Sequence, residues 1–294
     1  EFVRNVGGDN INLTVLMPSE ADPHTYEPAP QDAGTIADAD LVFYTGLMYE
    51  PSPLVELLEN SVCGSEALAE VGESVFPIEF KEGGHDDHDD HGEKGHDDHD
   101  EEGHDDHDDH GGHEGHGHGA YDPHFWFDPN RVVYASEFIE SKLIELDPSN
   151  AASYQAAGDT YATELSSLTG QVSQLIGSIP SQNRKLITTH ESLGYLEAKF
   201  GLEVLSTIIP DLDSSNEITP AQLVGVIDVI EDNNVKVIFI EAEAPSVYAE
   251  TIVAETGIKA VEGLWVETLK PGQTYQEFLI AAVELIVENL SNSD

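Results

Sequence analysis

Residues 148–179 read PSNAASYQAAGDTYATELSSLTGQVSQLIGSI, and this stretch decides the architecture. It is rich in Ala, Leu, Glu and Gln, which favour helix, and Pro148 suits a first helical position. Asp147-Pro148-Ser149 punctuates its start and Pro180 its end. As one helix, its 32 residues would span about 48 Å at the helical rise. That exceeds an ordinary globular helix and predicts a strut between two lobes.

Working outward, strand-like and helix-like segments alternate on both sides. Upstream, residues 12–16 (Asn-Leu-Thr-Val-Leu) read as a short strand and 28–40 as a helix behind Pro28. Residues 41–44 (Leu-Val-Phe-Tyr) read as a buried strand; 54–58 and 67–69 suggest further helix. Residues 130–147 place Val132, Val133, Phe138, Ile139, Leu143 and Ile144 on one helical face. Downstream, 185–189, 202–209 and 235–240 read as extended segments. Helices are expected over 192–200, 219–233, 246–256 and 276–290. This alternation predicts an α/β fold of parallel sheets with helices on both faces. The expected units are 1–147, a linking helix 148–179, and 180–294.

Charge narrows the function. With 58 acidic residues against 11 basic ones, the net charge is −47, so nucleic acid and anionic lipid are excluded as partners. A His-rich tract at 85–118 holds 15 acids and one lysine, so most of the acidity lies outside it. Such self-repulsion is tolerable where molar salt shortens the Debye length to about 3 Å. We therefore expect a halophilic, archaeal source; the plainer alternative is an acidic cation-binding surface. Cys63 stands alone, which rules out an internal disulfide. No run of apolar residues is long enough to span a membrane. The opening Glu1-Phe2-Val3 reads as the interior of an ordered sequence and predicts a preceding segment.

Between Gly83 and Gly119 nothing apolar occurs, and Gly-His-Asp-Asp-His-Asp begins at Gly84, Gly95 and Gly103. Such a segment cannot bury enough surface to order itself, so a disordered loop is expected over 83–119. Its histidines are His85, His88, His91, His96, His99, His104, His107, His110, His113, His116 and His118. Spaced among aspartates, they suit loose, secondary metal sites that weaken in acid; a solvated linker is the alternative.

Three of the 14 histidines remain outside the tract: His24, His124 and His190. Each adjoins a turn signal rather than an apolar periodic run. His24 follows Asp22-Pro23, His124 follows Asp122-Pro123, and His190 ends an expected strand. Ligands in open α/β sheets gather at the carboxyl ends of strands. Three imidazoles suit zinc and leave one tetrahedral position for a carboxylate or water. Glu241, Glu243 and Glu267 lie in loops that could supply it. Asp122, Asp128 and Glu191 read as supporting or capping groups, and Phe125, Trp126 and Tyr195 as core or walls. Trp265 is placed to shield the site; Tyr44 and Tyr49 carry no separate signal.

His24-Thr25-Tyr26-Glu27-Pro28 with Ala39-Asp40-Leu41-Val42-Phe43-Tyr44 resembles the opening signature of zinc/manganese ABC-transporter solute-binding proteins. Residues 122–129 (Asp-Pro-His-Phe-Trp-Phe-Asp-Pro) resemble the second, and 189–196 (Thr-His-Glu-Ser-Leu-Gly-Tyr-Leu) the third. Residues 237–241, 249–251 and 255–257 resemble the fourth. The resemblance covers nearly the whole chain in the family's order. It implies two Rossmann-like lobes joined by a long rigid helix, with the metal in the cleft between them. It implies His24 and His124 as ligands from the first lobe and His190 from the second. It places the fourth ligand about nine residues after Ile258, at Glu267. His at the third motif points to Zn²⁺, with Mn²⁺ the alternative. A permease and its ATPase are the implied partners. The implied location is the outer face of the cytoplasmic membrane, lipid-anchored or secreted, as a monomer. The family's first strand is missing here, which fits a trimmed start.

Two other classes compete. A zinc hydrolase would need an open coordination position and a base such as Glu191, but no His-Glu-x-x-His pair exists, so the chain is read as no enzyme. A surface metal store or adhesin is the other.

Overall fold

The chain begins on a helix that the sequence reading does not anticipate, α1 (Phe2–Gly7), which buries Val6 against the main core. The computed structural model describes residues 1–19, 21–80, 121–211, 217–243 and 247–291; the tract, its eleven histidines and Ser246 lie outside the described residues. Residues 12–16, expected as a strand, have no regular structure. Among the described residues the neighbouring sheet has two members, and no strand there pairs with them. The first-half helix is shorter than expected: α2 (Asp32–Ala37) starts late because Pro28 and Pro30 hold the chain before it extended. β1 (Val42–Tyr44) and α3 (Ser52–Ser61) lie where the pattern puts them. Residues 67–69, read as helix, instead form the end of a 3₁₀ turn and the start of β2 (Leu68–Glu70). Parallel pairing with β1, Val42 opposite Leu68 and Tyr44 opposite Glu70, overrides alanine's helical preference.

α4 (Pro129–Leu146) starts behind Asp128, whose carboxylate accepts the Asn130 N–H at 3.0 Å. The long segment splits. Asp147 accepts hydrogen bonds from Asn150 at 2.6 Å and from Tyr154 at 3.1 Å, which closes a 3₁₀ turn at Pro148–Asn150. α5 (Ala151–Gly177) follows with 27 residues, about 40 Å long. It packs on α1 and α4, and its buried Leu165, Leu168 and Val172 share one core with both.

The second half alternates as expected, with one addition. β3 (Lys185–Thr188) leads to α6 (Gly194–Phe200), which Gly201 ends in a left-handed turn at φ 74°. β4 (Glu203–Thr207) precedes α7 (Pro220–Asp232), opened by a reciprocal cap between Thr219 and Gln222. β5 (Val237–Glu241), α8 (Ala249–Thr256), the unanticipated β6 (Lys259–Leu264) and α9 (Tyr275–Ser291) complete the order.

These strands form a parallel sheet in the order β4-β3-β5-β6. Both faces are covered, as parallel sheets require. In β5, Val237 and Phe239 join the core of α5 and α9, while Ile238 and Ile240 join that of α7 and α8. A small core of Ile36, Leu54 and Leu58 supports β1 and β2. The fold is thus mixed α/β with two parallel sheets. No helix among the described residues is long and apolar enough to cross a membrane.

Candidate metal centre

The two Asp-Pro-His sequences fold alike. Asp22 Oδ1 accepts the backbone N–H of His24 at 3.0 Å, and Asp122 Oδ1 that of His124 at 2.8 Å. Each is an Asx turn, with proline fixing the middle residue. At His124 the same carboxylate oxygen also takes the ring Nδ1–H at 2.7 Å. His190 follows the carboxyl end of β3, and Glu241 ends the adjacent β5. Glu241 Oε2 stands 2.5 Å from His190 Nδ1, and Oε1 accepts the His190 N–H and the Ser192 hydroxyl at 3.2 and 3.1 Å. An ionised carboxylate only accepts, so in both histidines Nδ1 carries the proton. That orients each ring and leaves Nε2 to face inward.

Glu267, three residues past β6, meets all three histidines. Its Oε1 lies 3.7 Å from His24 Nε2, 3.3 Å from His124 Nε2 and 3.0 Å from His190 Nε2. The four ligand atoms lie within 4.8 Å of one another. Ligands about 2.0–2.1 Å from a tetrahedral zinc stand about 3.3 Å apart, and the three Glu267–imidazole separations lie around that value. The three Nε2 atoms and both Glu267 oxygens are buried without a hydrogen-bond partner. Buried polar atoms nearly always have one, and a single cation would satisfy the cluster together.

The electrostatics agree. Burial opposes charge on His124, but the Glu267 and Asp122 carboxylates outweigh it and raise the imidazole to about 9. His190 is raised well above its ordinary value against the same burial, by Glu241 and Glu267. Burial likewise works against charge on Glu267, yet the neighbouring imidazoles hold it well below the carboxylate range. Without metal, the pocket holds protons where a cation would bind.

The other residues singled out in the sequence divide. Glu241 supports His190. Glu243 accepts backbone N–H groups at 266–268 rather than facing the histidines. Asp128 caps α4, and Glu191, pushed up to about 7 by burial, accepts from the Thr207 hydroxyl. Phe125 is core; Trp126 is a wall whose Nε1–H donates to Val266 O at 2.8 Å. Tyr195 ties Ile78 N–H and Asp122 O together across the molecule. Trp265 lies under the Lys270 ammonium, 4.8 Å from the ring centroid. Tyr44 donates to Glu70. Tyr49, given no role from sequence, lines the site: its ring is 5.4 Å from His24 and its hydroxyl reaches Glu267 O at 3.4 Å. It is 218 positions from Glu267, and no local pattern announces that meeting.

Comparisons with known proteins point the same way. The family model described as ZnuA, zinc-uptake complex component A, periplasmic, matches residues 1–289. The high-affinity zinc uptake system protein ZnuA of Bacillus subtilis is 28% identical over 300 residues, covering 99% of this chain and 84% of that protein. The manganese-binding lipoprotein MntA of Halalkalibacterium halodurans is 23% identical over 297 residues, covering 99% and 85%. The periplasmic zinc-binding protein TroA of Treponema pallidum has the same fold, with a TM-score of 0.80 at 21% identity, covering 99% and 95%. These relatives are binding proteins, several named as ABC-transporter components, and not enzymes. The chain belongs to the ZnuA family of metal-binding components of ABC transporters.

Proposed function

We propose that this chain captures zinc outside the cytoplasmic membrane through His24, His124, His190 and Glu267 and passes it to a permease powered by an ATPase. One observation carries the reading: three buried imidazole Nε2 atoms, all without hydrogen bonds, converge on one carboxylate oxygen. Imidazole-rich sets favour zinc over manganese, while the carboxylate leaves manganese as the alternative cargo. We read 1–147 and 180–294 as lobes that supply two ligands each, joined through 148–179. A lipid-anchored or secreted monomer, in a salt-rich setting, fits the family and the charge. The tract at 85–118 is read as a secondary, low-affinity collector of zinc.

The test is metal content and affinity of the purified chain. The native protein should bind one zinc tightly, and His190→Ala should lose at least tenfold in affinity, about 1.4 kcal/mol or more. Full affinity in that variant would remove the assigned site.

A further inference from the structure

Glu243 lies two residues beyond the end of β5, and its side chain crosses to the segment that follows β6. Its Oε1 accepts the N–H groups of Glu267 and Thr268, each at 3.1 Å, and its Oε2 that of Val266 at 3.4 Å. Residues 266–268 have left the sheet, so these successive donors have no ladder partner, and one carboxylate takes all three. The carbonyl side of the same segment is held from the first half of the chain. Trp126 Nε1–H donates to Val266 O at 2.8 Å and Tyr49 hydroxyl to Glu267 O at 3.4 Å. The backbone that carries Glu267 is thus gripped on both edges. The N–H grip comes from one side chain.

We propose that Glu243 is the positioning residue for Glu267, fixing its backbone so that Oε1 stands 3.0–3.7 Å from the three imidazole nitrogens. This rests on the reading of Glu267 as a metal ligand. His124 and His190 are oriented through their rings by carboxylates, whereas among the described residues Glu267 has no such side-chain partner outside the cluster. Its orientation comes through the main chain. Without the grip, the carboxylate keeps its identity and loses its place.

A double-mutant cycle on the full chain tests this. Zinc affinity is measured by competition with a chromophoric chelator for the native chain, Glu243→Ala, Glu267→Ala and the double variant. Loss of a group that orients a ligand costs about 10–100-fold in affinity, and Glu243→Ala should fall in that range. In the Glu267→Ala background the same change should cost less than about twofold, because nothing remains to be positioned. The visible spectrum of bound Co²⁺ should shift in Glu243→Ala and not shift further in the double variant. Equal losses in both backgrounds, or no loss from Glu243→Ala, would overturn the proposal. Native affinity in Glu267→Ala would instead overturn the ligand reading beneath it. If Glu243→Ala fails to fold, Glu243→Gln carries the same cycle. It keeps one acceptor oxygen and sets an amide donor against a backbone N–H, so a loss of about threefold that vanishes without Glu267 is expected.

Discussion

Raising the pH should tighten metal binding well past the point where ordinary histidines stop titrating. A free imidazole is deprotonated above about pH 7.5, and a site of unperturbed histidines would reach its full affinity there. Here His124 is raised to about 9, so at pH 7 an incoming ion must displace its proton. Two units of pKa above the working pH correspond to about a hundredfold in apparent affinity, or about 2.7 kcal/mol. His190 is raised well above its ordinary value by Glu241 and Glu267 and adds a second proton. The logarithm of the apparent zinc affinity should therefore climb by between one and about two per pH unit from 6.5 to 8.5, and the His124 share of that slope should vanish only above about 9. Chelator competition across that range reads the slope. Calorimetry at pH 7.5 in buffers of different ionisation enthalpy counts the protons released. A plateau by pH 7.5, with no proton release, would show that the carboxylates do not hold protons on the rings and would refute the electrostatic reasoning.

Other outcomes follow from the same geometry. Asp122→Asn keeps an acceptor for His124 Nδ1 but removes a charge that raises the ring, so zinc affinity should fall about 10–100-fold and its pH slope should flatten. Gly194→Ala would bring a methyl to 2.5 Å from Asp122 Oδ2; the crowding should cost about 1–3 kcal/mol of stability by thermal melting and weaken zinc binding. The metal-free protein should melt highest between about pH 4.5 and 6.5. Glu267, held low, contributes stability above its ordinary 4.5; the raised histidines contribute fully below 6.5, and His124 loses its share as pH rises through about 9. Burial of Glu191 and Glu243, each raised to about 7, works in the same direction as pH rises from 4.5. With a net charge of −47, melting temperature should rise steadily with NaCl toward molar concentration, and a flat series would remove the halophilic reading.

Much of the second sheet was legible because its signals are local. The Thr219–Gln222 cap, Gly201 after α6 and the apolar run of β5 each act within a few residues. β6 was not, because Glu262 and Gly263 interrupt its apolar pattern and both are exposed at the sheet edge. Residues 12–16 have a strand's composition and no strand beside them; residues 68–70 have a helix former's alanine and a strand beside them. Pairing decided both cases, and pairing is not written in a window of five residues. At the site, the histidines stood out once the tract was removed, and their Asp-Pro prefixes marked the turns. Glu241, Glu243 and Glu267 could not be separated from residue type alone. What separates them is which neighbour each reaches: a ring nitrogen, a row of backbone N–H groups, or three imidazoles.

The carboxylates behind His124 and His190 also set an ion-exchange stoichiometry. Asp122, Glu241 and Glu267 bring three negative charges, and protons on the two raised rings offset two of them. A divalent ion that displaces both protons leaves the sum as it was, so the surrounding dipoles need not reorient when cargo arrives. A monovalent or trivalent ion would change that sum by one charge inside a buried pocket, at a cost of several kcal/mol. On that count valence would be screened before ligand preference acts, and two divalent ions such as zinc and manganese would be electrical equals in the pocket.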